Sequence, residues 1–129
     1  MQHTASIIVP VYNLAKEGMV AFCMEALLSQ TFPESYQIIA VDDCSSDGSF
    51  SILKEYEKKA SEINPLADLV ALKTPKRSLQ GAAKNLGLTK ADGEWIGFID
   101  GDDWVSPCFL EKLIALARAE GSDLAGCDL

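Results

Sequence analysis

Three short apolar runs, beginning at residues 6, 37 and 95, each break off in unusual polar residues: Tyr12-Asn13, Asp42-Asp43 and Asp100-Gly101-Asp102-Asp103. Runs this brief, rich in β-branched residues, suit strands buried on both faces better than helices. The strands are expected over 6–13, 37–41 and 95–99. Between them lie two segments with apolar residues at helical spacing. One covers 18–30, with Met19, Phe22, Cys23, Ala26 and Leu27 on a stripe, and the other 50–63, with Phe50, Leu53, Tyr56 and Ala60. A weaker strand is expected at 69–72, a polar basic loop at 73–80, a short helix at 81–88 and a longer one at 107–119. Residues 122–129 read as the start of a further strand. Strands spaced roughly thirty residues apart, with helices between, have the rhythm of βαβ units. The expectation is an α/β fold, a Rossmann-like and largely parallel sheet flanked by helices. Pro10 cannot donate to a ladder, so the first strand should end there or lie at an edge.

In a parallel sheet, ligands bind beyond the C-terminal ends of the strands. The acidic end of the third run is therefore the first candidate site. Side chains alternate along an extended segment, so Asp100 and Asp102 should share a side and Asp103 should point elsewhere. Two converging carboxylates repel unless a cation lies between them. Oxygen ligands without a nearby His or Cys suit Mg²⁺ or Mn²⁺. The plainer alternative is a polar turn before the next helix. Ser106-Pro107, however, already reads as an N-cap followed by proline in the first turn.

A chain of 129 residues with no repeat, linker or low-complexity stretch is one domain with a real core. Nineteen acidic against 11 basic residues give a net charge of −8. That balance argues against nucleic acid or anionic lipid as a main partner. Cys23, Cys44, Cys108 and Cys127 form no metal-binding spacing, so reduced thiols in a cytoplasmic protein are the expectation. The apolar run near the N-terminus is too short for a signal peptide or a membrane span.

The strand ends bring together carboxylates, an aromatic (Tyr12) and a basic loop with Lys76, Arg77 and Lys84, a set that suits a diphosphate-bearing ligand. Dinucleotide-binding and P-loop glycine patterns are both absent, as is a nucleophile elbow. His3, alone of its kind and near a terminus, has little claim to catalysis.

Four motifs in order, Ile7-Ile8-Val9-Pro10-Val11-Tyr12-Asn13, Val41-Asp42-Asp43-Cys44-Ser45-Ser46-Asp47-Gly48-Ser49, Gly81-Ala82-Ala83-Lys84-Asn85-Leu86-Gly87 and Phe98-Ile99-Asp100-Gly101-Asp102-Asp103, closely resemble the family 2 glycosyltransferases. The resemblance covers essentially the whole chain and implies the GT-A fold with a nucleotide-diphospho-sugar donor. It implies that Pro10 and Tyr12 cradle the nucleotide base, with Asn13 beside them. Asp43 would accept from the base N–H, with Asp42 its companion. Asp102 would be the main metal ligand, Asp100 its partner near ribose and metal, and Asp103 an adjacent carboxylate. Lys84 stands where the family usually carries Arg, so a phosphate contact and a solvated helix face both stay open. Tyr12 as a core aromatic, and Asp47 as a turn or cap residue, are alternatives of the same kind.

The resemblance further implies transfer with inversion to an acceptor hydroxyl, with UDP-sugars the favoured donors. The acceptor would be a glycan or a lipid-linked molecule, and the setting cytoplasmic, at the inner face of a membrane. Family members continue for another stretch that supplies the catalytic base, so the base is expected beyond Leu129 and this chain is expected to be the donor-binding portion. A sheet cut short in this way exposes apolar surface and permits self-association. A non-catalytic nucleotide-binding module of the same fold, and a Mg²⁺-dependent phosphoacceptor receiver domain, are the competing expectations. The receiver is disfavoured because its acidic pair follows the first strand, not the second.

Overall fold

The computed structural model describes residues 3–77 and 81–120. Four strands, β1 (Ala5–Val11), β2 (Tyr36–Asp42), β3 (Ala67–Lys73) and β4 (Trp95–Phe98), form one sheet in the order β3-β2-β1-β4. All neighbours run parallel. The helices are α1 (Met19–Leu28), preceded by a 3-10 turn at Lys16–Gly18, then α2 (Ser49–Ile63), α3 (Gly81–Lys90) and α4 (Phe109–Glu120). The strand expected within 122–129 lies outside the described residues.

The sheet divides two cores. Ile7, Val9, Val11, Ile38 and Ala40 point to the side covered by α1, α2 and α4, while Ile8, Ile39 and Val41 meet Ala83 and Leu86 of α3 on the other. Each of the fully buried Ile and Val side chains among them contributes roughly 1.5–3 kcal/mol before entropy is counted. The two central strands are buried on both faces, which is why they read as unbroken apolar runs. β3, at the edge, alternates buried and accessible positions, and this explains its weaker signature in the sequence.

Several expectations change. β1 does not end at Pro10 and is not an edge strand: its pairing with β2 continues through Pro10↔Val41 and Val11↔Asp42. The missing N–H faces β4, whose ladder with β1 stops at Ile8↔Phe98. Beyond that point Pro10 contributes only its carbonyl, which accepts from Gly101 N–H at 3.2 Å. The proline thus ends one ladder and leaves the other intact.

The buried stripe of α1 is Val20, Cys23, Met24, Leu27 and Leu28, and Phe22 is 61% exposed. This helix is apolar on nearly every side, so spacing alone could not fix which face turned inward. β4 is likewise not buried throughout: Ile96 and Phe98 are about half exposed on the α3 side. Finally, the Ser106 hydroxyl does not cap α4. Its contact is the Cys108 thiol, and the helix start is held by Gln30, whose Oε1 accepts from Leu110 N–H at 2.9 Å. The Gln30 amide also donates to Ser106 O at 2.8 Å and to Ala26 O at 3.1 Å. α4 is therefore pinned to the end of α1 by one buried side chain.

Candidate functional site

At the C-terminal edge of the sheet an open cavity of about 270 Å³ is lined by Pro10, Val11, Tyr12, Leu14, Asp43, Arg77, Ala83, Asp100, Gly101 and Asp102. Strand parity explains the membership. Asp43 continues the alternation of Ile39 and Val41 and emerges on the α3 side, whereas Asp42 follows Ile38 and Ala40 toward α1 and α2. Asp42 is fully buried, and its carboxylate accepts from both the N–H and the hydroxyl of Ser45.

That Ser45 contact belongs to a lattice joining the two loops beyond β1 and β2. Asn13 N–H donates to Ser45 Oγ at 2.9 Å, Leu14 N–H to Ser49 Oγ at 2.9 Å, and Ala15 N–H to Asp47 Oδ2 at 3.2 Å. In return Asn13 Oδ1 accepts from Ser46 N–H at 2.9 Å. Asn13 and Cys44 both sit at positive φ, 51° and 60°. For Asn this is a tolerated left-handed position; for Cys it is strained backbone that the surrounding bonds must hold. Asp47 also accepts from Ser49 N–H at 2.9 Å, and hydrogen bonding from Ser49 and then Ala15 holds its carboxyl below the usual range. The motif from Asp42 to Ser49 is thus largely a fastening for the β1 loop, with Asp43 as its cavity-facing member.

Asp43 is nearly buried, and its Oδ1 accepts from the Thr74 hydroxyl at 2.9 Å. Its Oδ2 lies 3.8 Å from Nε of Arg77. The Arg77 guanidinium in turn stacks on the Tyr12 ring, 3.6 Å from its centroid. Tyr12 is 37% exposed and no core residue. The spacing of the sequence named Arg77 only as part of a basic loop and gave no sign of Thr74, whose role depends on where β3 delivers it.

On the opposite wall Asp100, Asp102 and Asp103 each offer a carboxylate oxygen, all within 4.8 Å of one another. Asp103 does not point away, as extended geometry would require, because the chain turns: Asp103 N–H donates to Asp100 O at 3.0 Å. Gly101 lies inside that turn. A Cβ there would come within 2.9 Å of Leu14 Cδ1, 3.0 Å of Val11 Cγ2 and 3.1 Å of Pro10 O, so any larger residue would push these neighbours back where the acidic turn meets the end of β1. Three oxygen donors without nitrogen or sulfur fit a hard divalent cation. The Cys23 thiol lies beneath, 3.9 Å from Asp100 O. Burial, followed by the charges of Asp103, Asp102 and Asp100, pushes it up to about 12, so it stays a neutral thiol and not a soft ligand.

Of the residues singled out in the sequence, Pro10, Tyr12, Asp43, Asp100 and Asp102 share the cavity. Asp103 joins through the acidic cluster. Asn13 and Asp42 belong to the loop fastening. Lys84 does not line the cavity; its ammonium sits 5.7 Å from the Phe98 ring centroid. His3 is at the far edge of the sheet, bonded to Asp92 at 2.6 Å. No helix among the described residues is long and apolar enough to cross a membrane.

The Glycosyl transferase family 2 profile matches residues 6–129. A poly(ribitol-phosphate) beta-glucosyltransferase of Bacillus spizizenii is 36% identical over 120 residues, which is 92% of this chain and 18% of that protein. The poly(ribitol-phosphate) beta-N-acetylglucosaminyltransferase TarS of Staphylococcus aureus is 30% identical over 120 residues, 92% of this chain and 20% of its own length. The structure of S. aureus TarS 1–349 in complex with UDP superposes with a TM-score of 0.78 at 28% identity, covering 92% of this chain and 33% of that one. The same protein with UDP-GlcNAc gives 0.77 at 28% identity, with 92% and 32% covered. The chain thus spans between 18% and 33% of the length of such relatives. With its parallel sheet, its acidic turn and a profile match over nearly every residue, the chain belongs to glycosyl transferase family 2.

Proposed function

We propose that this chain is the donor-binding part of an inverting glycosyltransferase that takes a nucleotide-diphospho-sugar, with a UDP-sugar favoured, and delivers the sugar to an acceptor hydroxyl. The observation that carries this reading is the single cavity in which Tyr12 and Asp43 face Asp100 and Asp102. Pro10 and Tyr12 offer apolar and aromatic surface for a base. Asp43, an acceptor when ionised, is held by Thr74 so that it can take a base N–H. Asp102, Asp100 and Asp103 would hold Mn²⁺ or Mg²⁺, with Asp100 also near the ribose. An ion so held neutralises the diphosphate and stabilises charge on the departing nucleoside diphosphate.

Inversion means that the acceptor oxygen bonds to the anomeric carbon as the bond from that carbon to the diphosphate oxygen breaks. The acceptor proton passes to a base, and we assign no residue of this chain to that task. TarS in complex with UDP and UDP-GlcNAc supports the choice of uridine. Relatives named for poly(ribitol-phosphate) support a polymeric, hydroxyl-bearing acceptor. We place the reaction in the cytoplasm, with peripheral contact to the membrane where a lipid-linked acceptor would be presented.

Calorimetric titration of UDP, first with Mn²⁺ and then with EDTA, tests the reading. Binding should require the metal and should fall at least tenfold in Asp102→Ala. Binding that is indifferent to both changes, or no binding of UDP, GDP or dTDP to folded protein, would overturn it.

A further inference from the structure

The Arg77 side chain fills the place that the proposed reading assigns to the base. Its guanidinium is planar, lies 3.6 Å from the centroid of the Tyr12 ring and points Nε at Asp43 Oδ2 from 3.8 Å. A stacked ring also needs a separation of this order from Tyr12, and a carboxylate partner for its N–H is Asp43. One ring face and one carboxylate cannot serve a guanidinium and a base in the same layer. The bonds among Asn13, Asp42, Ser45 and Ser46 fasten the two loops to each other, so Tyr12 and Asp43 are not free to retreat. Arg77 is the movable member: its side chain is 46% exposed, and no helix or strand contains it.

We propose that Arg77 is an internal stand-in for the nucleotide base, an autoinhibitory contact that the ligand must displace to reach Tyr12 and Asp43. This rests on the donor-binding reading and deepens it. The contact shields the aromatic face and neutralises the carboxylate in the ligand-free protein, and the base supplies both interactions when it enters. The displacement lowers apparent affinity by the fraction of molecules in which the slot is open. A stacked, half-exposed cation and a weak ion pair together correspond to a factor of roughly three to ten.

The test uses uridine beside UDP, because uridine carries no phosphate for Arg77 to attract. In Arg77→Ala, uridine should bind three- to tenfold more tightly than to the unaltered chain, and in Arg77→Met the gain should be similar. Salt supplies a second readout. Uridine is neutral, so its affinity should rise with KCl in the unaltered chain, as the ion pair to be broken is screened, and stay flat in Arg77→Ala. Circular dichroism establishes that the variants are folded. Weaker uridine binding in Arg77→Ala with no salt effect in the parent would overturn the proposal, because Arg77 would then be holding the base. If neither uridine nor UDP binds parent or variants, the donor-binding reading itself fails, an outcome distinct from either result above.

Discussion

Asp43 shows how a single residue acquires its chemistry from neighbours that the sequence does not place beside it. The adjacent pair Asp42-Asp43 suggests companions at one site, but strand alternation sends one to the loop fastening and the other to the cavity. Asp43 then depends on Thr74, a buried residue 31 positions away whose hydroxyl fixes one carboxylate oxygen. A hydrogen bond to a charged group contributes roughly 1.5–3 kcal/mol, of which only the part lost on binding reaches the affinity. Thr74→Val, which keeps the shape and removes the donor, should therefore weaken UDP binding about tenfold and leave the cation affinity of the acidic cluster unchanged. Calorimetry with Mn²⁺ alone and with UDP separates the two. Gly101 makes the complementary case. Its missing Cβ, not a side chain, lets the acidic turn sit against Pro10 and Val11. Gly101→Ala should destabilise the fold by about 1–3 kcal/mol in urea unfolding, as overpacking does.

At the level of elements, the sequence disclosed more of the fold than of its supports. Among the described residues, the positions of the four strands and four α-helices were legible because apolar runs and helical stripes are local signals. What was lost depended on tertiary context. α1 is apolar around most of its circumference, so Phe22 was placed inside although it lies outside. Pro10 looked terminal because its missing donor was considered without knowing which neighbour it faced. The cap of α4 was sought in Ser106 when it comes from Gln30, whose bond to Leu110 spans 80 residues. Replacing that side chain by an isosteric apolar one should leave Leu110 N–H without its partner, whereas Ser106 O keeps the bond from Phe109 N–H. An unsatisfied buried group costs roughly 1–3 kcal/mol. Gln30→Leu is thus expected to lower the midpoint of thermal unfolding by several degrees, with the far-UV spectrum of the folded state unchanged. The site was legible to a similar degree: the acidic turn and Asp43 announce themselves, while the Arg77–Tyr12 stack and the fastening role of Asn13 require the three-dimensional path of the loops.

Across the whole molecule, the acidic surplus makes stability sensitive to low pH through identifiable groups. Hydrogen bonding from Ser49 lowers the Asp47 carboxyl, His3 lowers Asp92, and Arg118 lowers Glu34. A carboxyl lowered by folding adds stability above its unfolded value, here 3.8 for the aspartates, and loses it as pH falls through the folded value. Urea midpoints should accordingly hold from pH 7 to about 5 and decline below about 4. Asp47→Asn should reduce the slope of that decline, whereas an unchanged slope would show that its bonds to the β1 loop persist in the protonated state.

The strand order carries a further consequence, in time and not in space. β1 meets β2 through contacts about thirty residues apart, such as Ser6 to Gln37 with a separation of 31, but reaches the segment leading into β4 only across 87 residues. Chain segments separated so differently do not close at the same rate, since loop entropy and contact order both penalise the longer connection. The β1–β2–β3 ladder, and with it Tyr12 and Asp43, can assemble while β4 is still unattached. Loop closure thus favours forming the half of the cavity that would read a base before the half that would hold a cation, the acidic turn docking onto the β1–β2 wall afterwards.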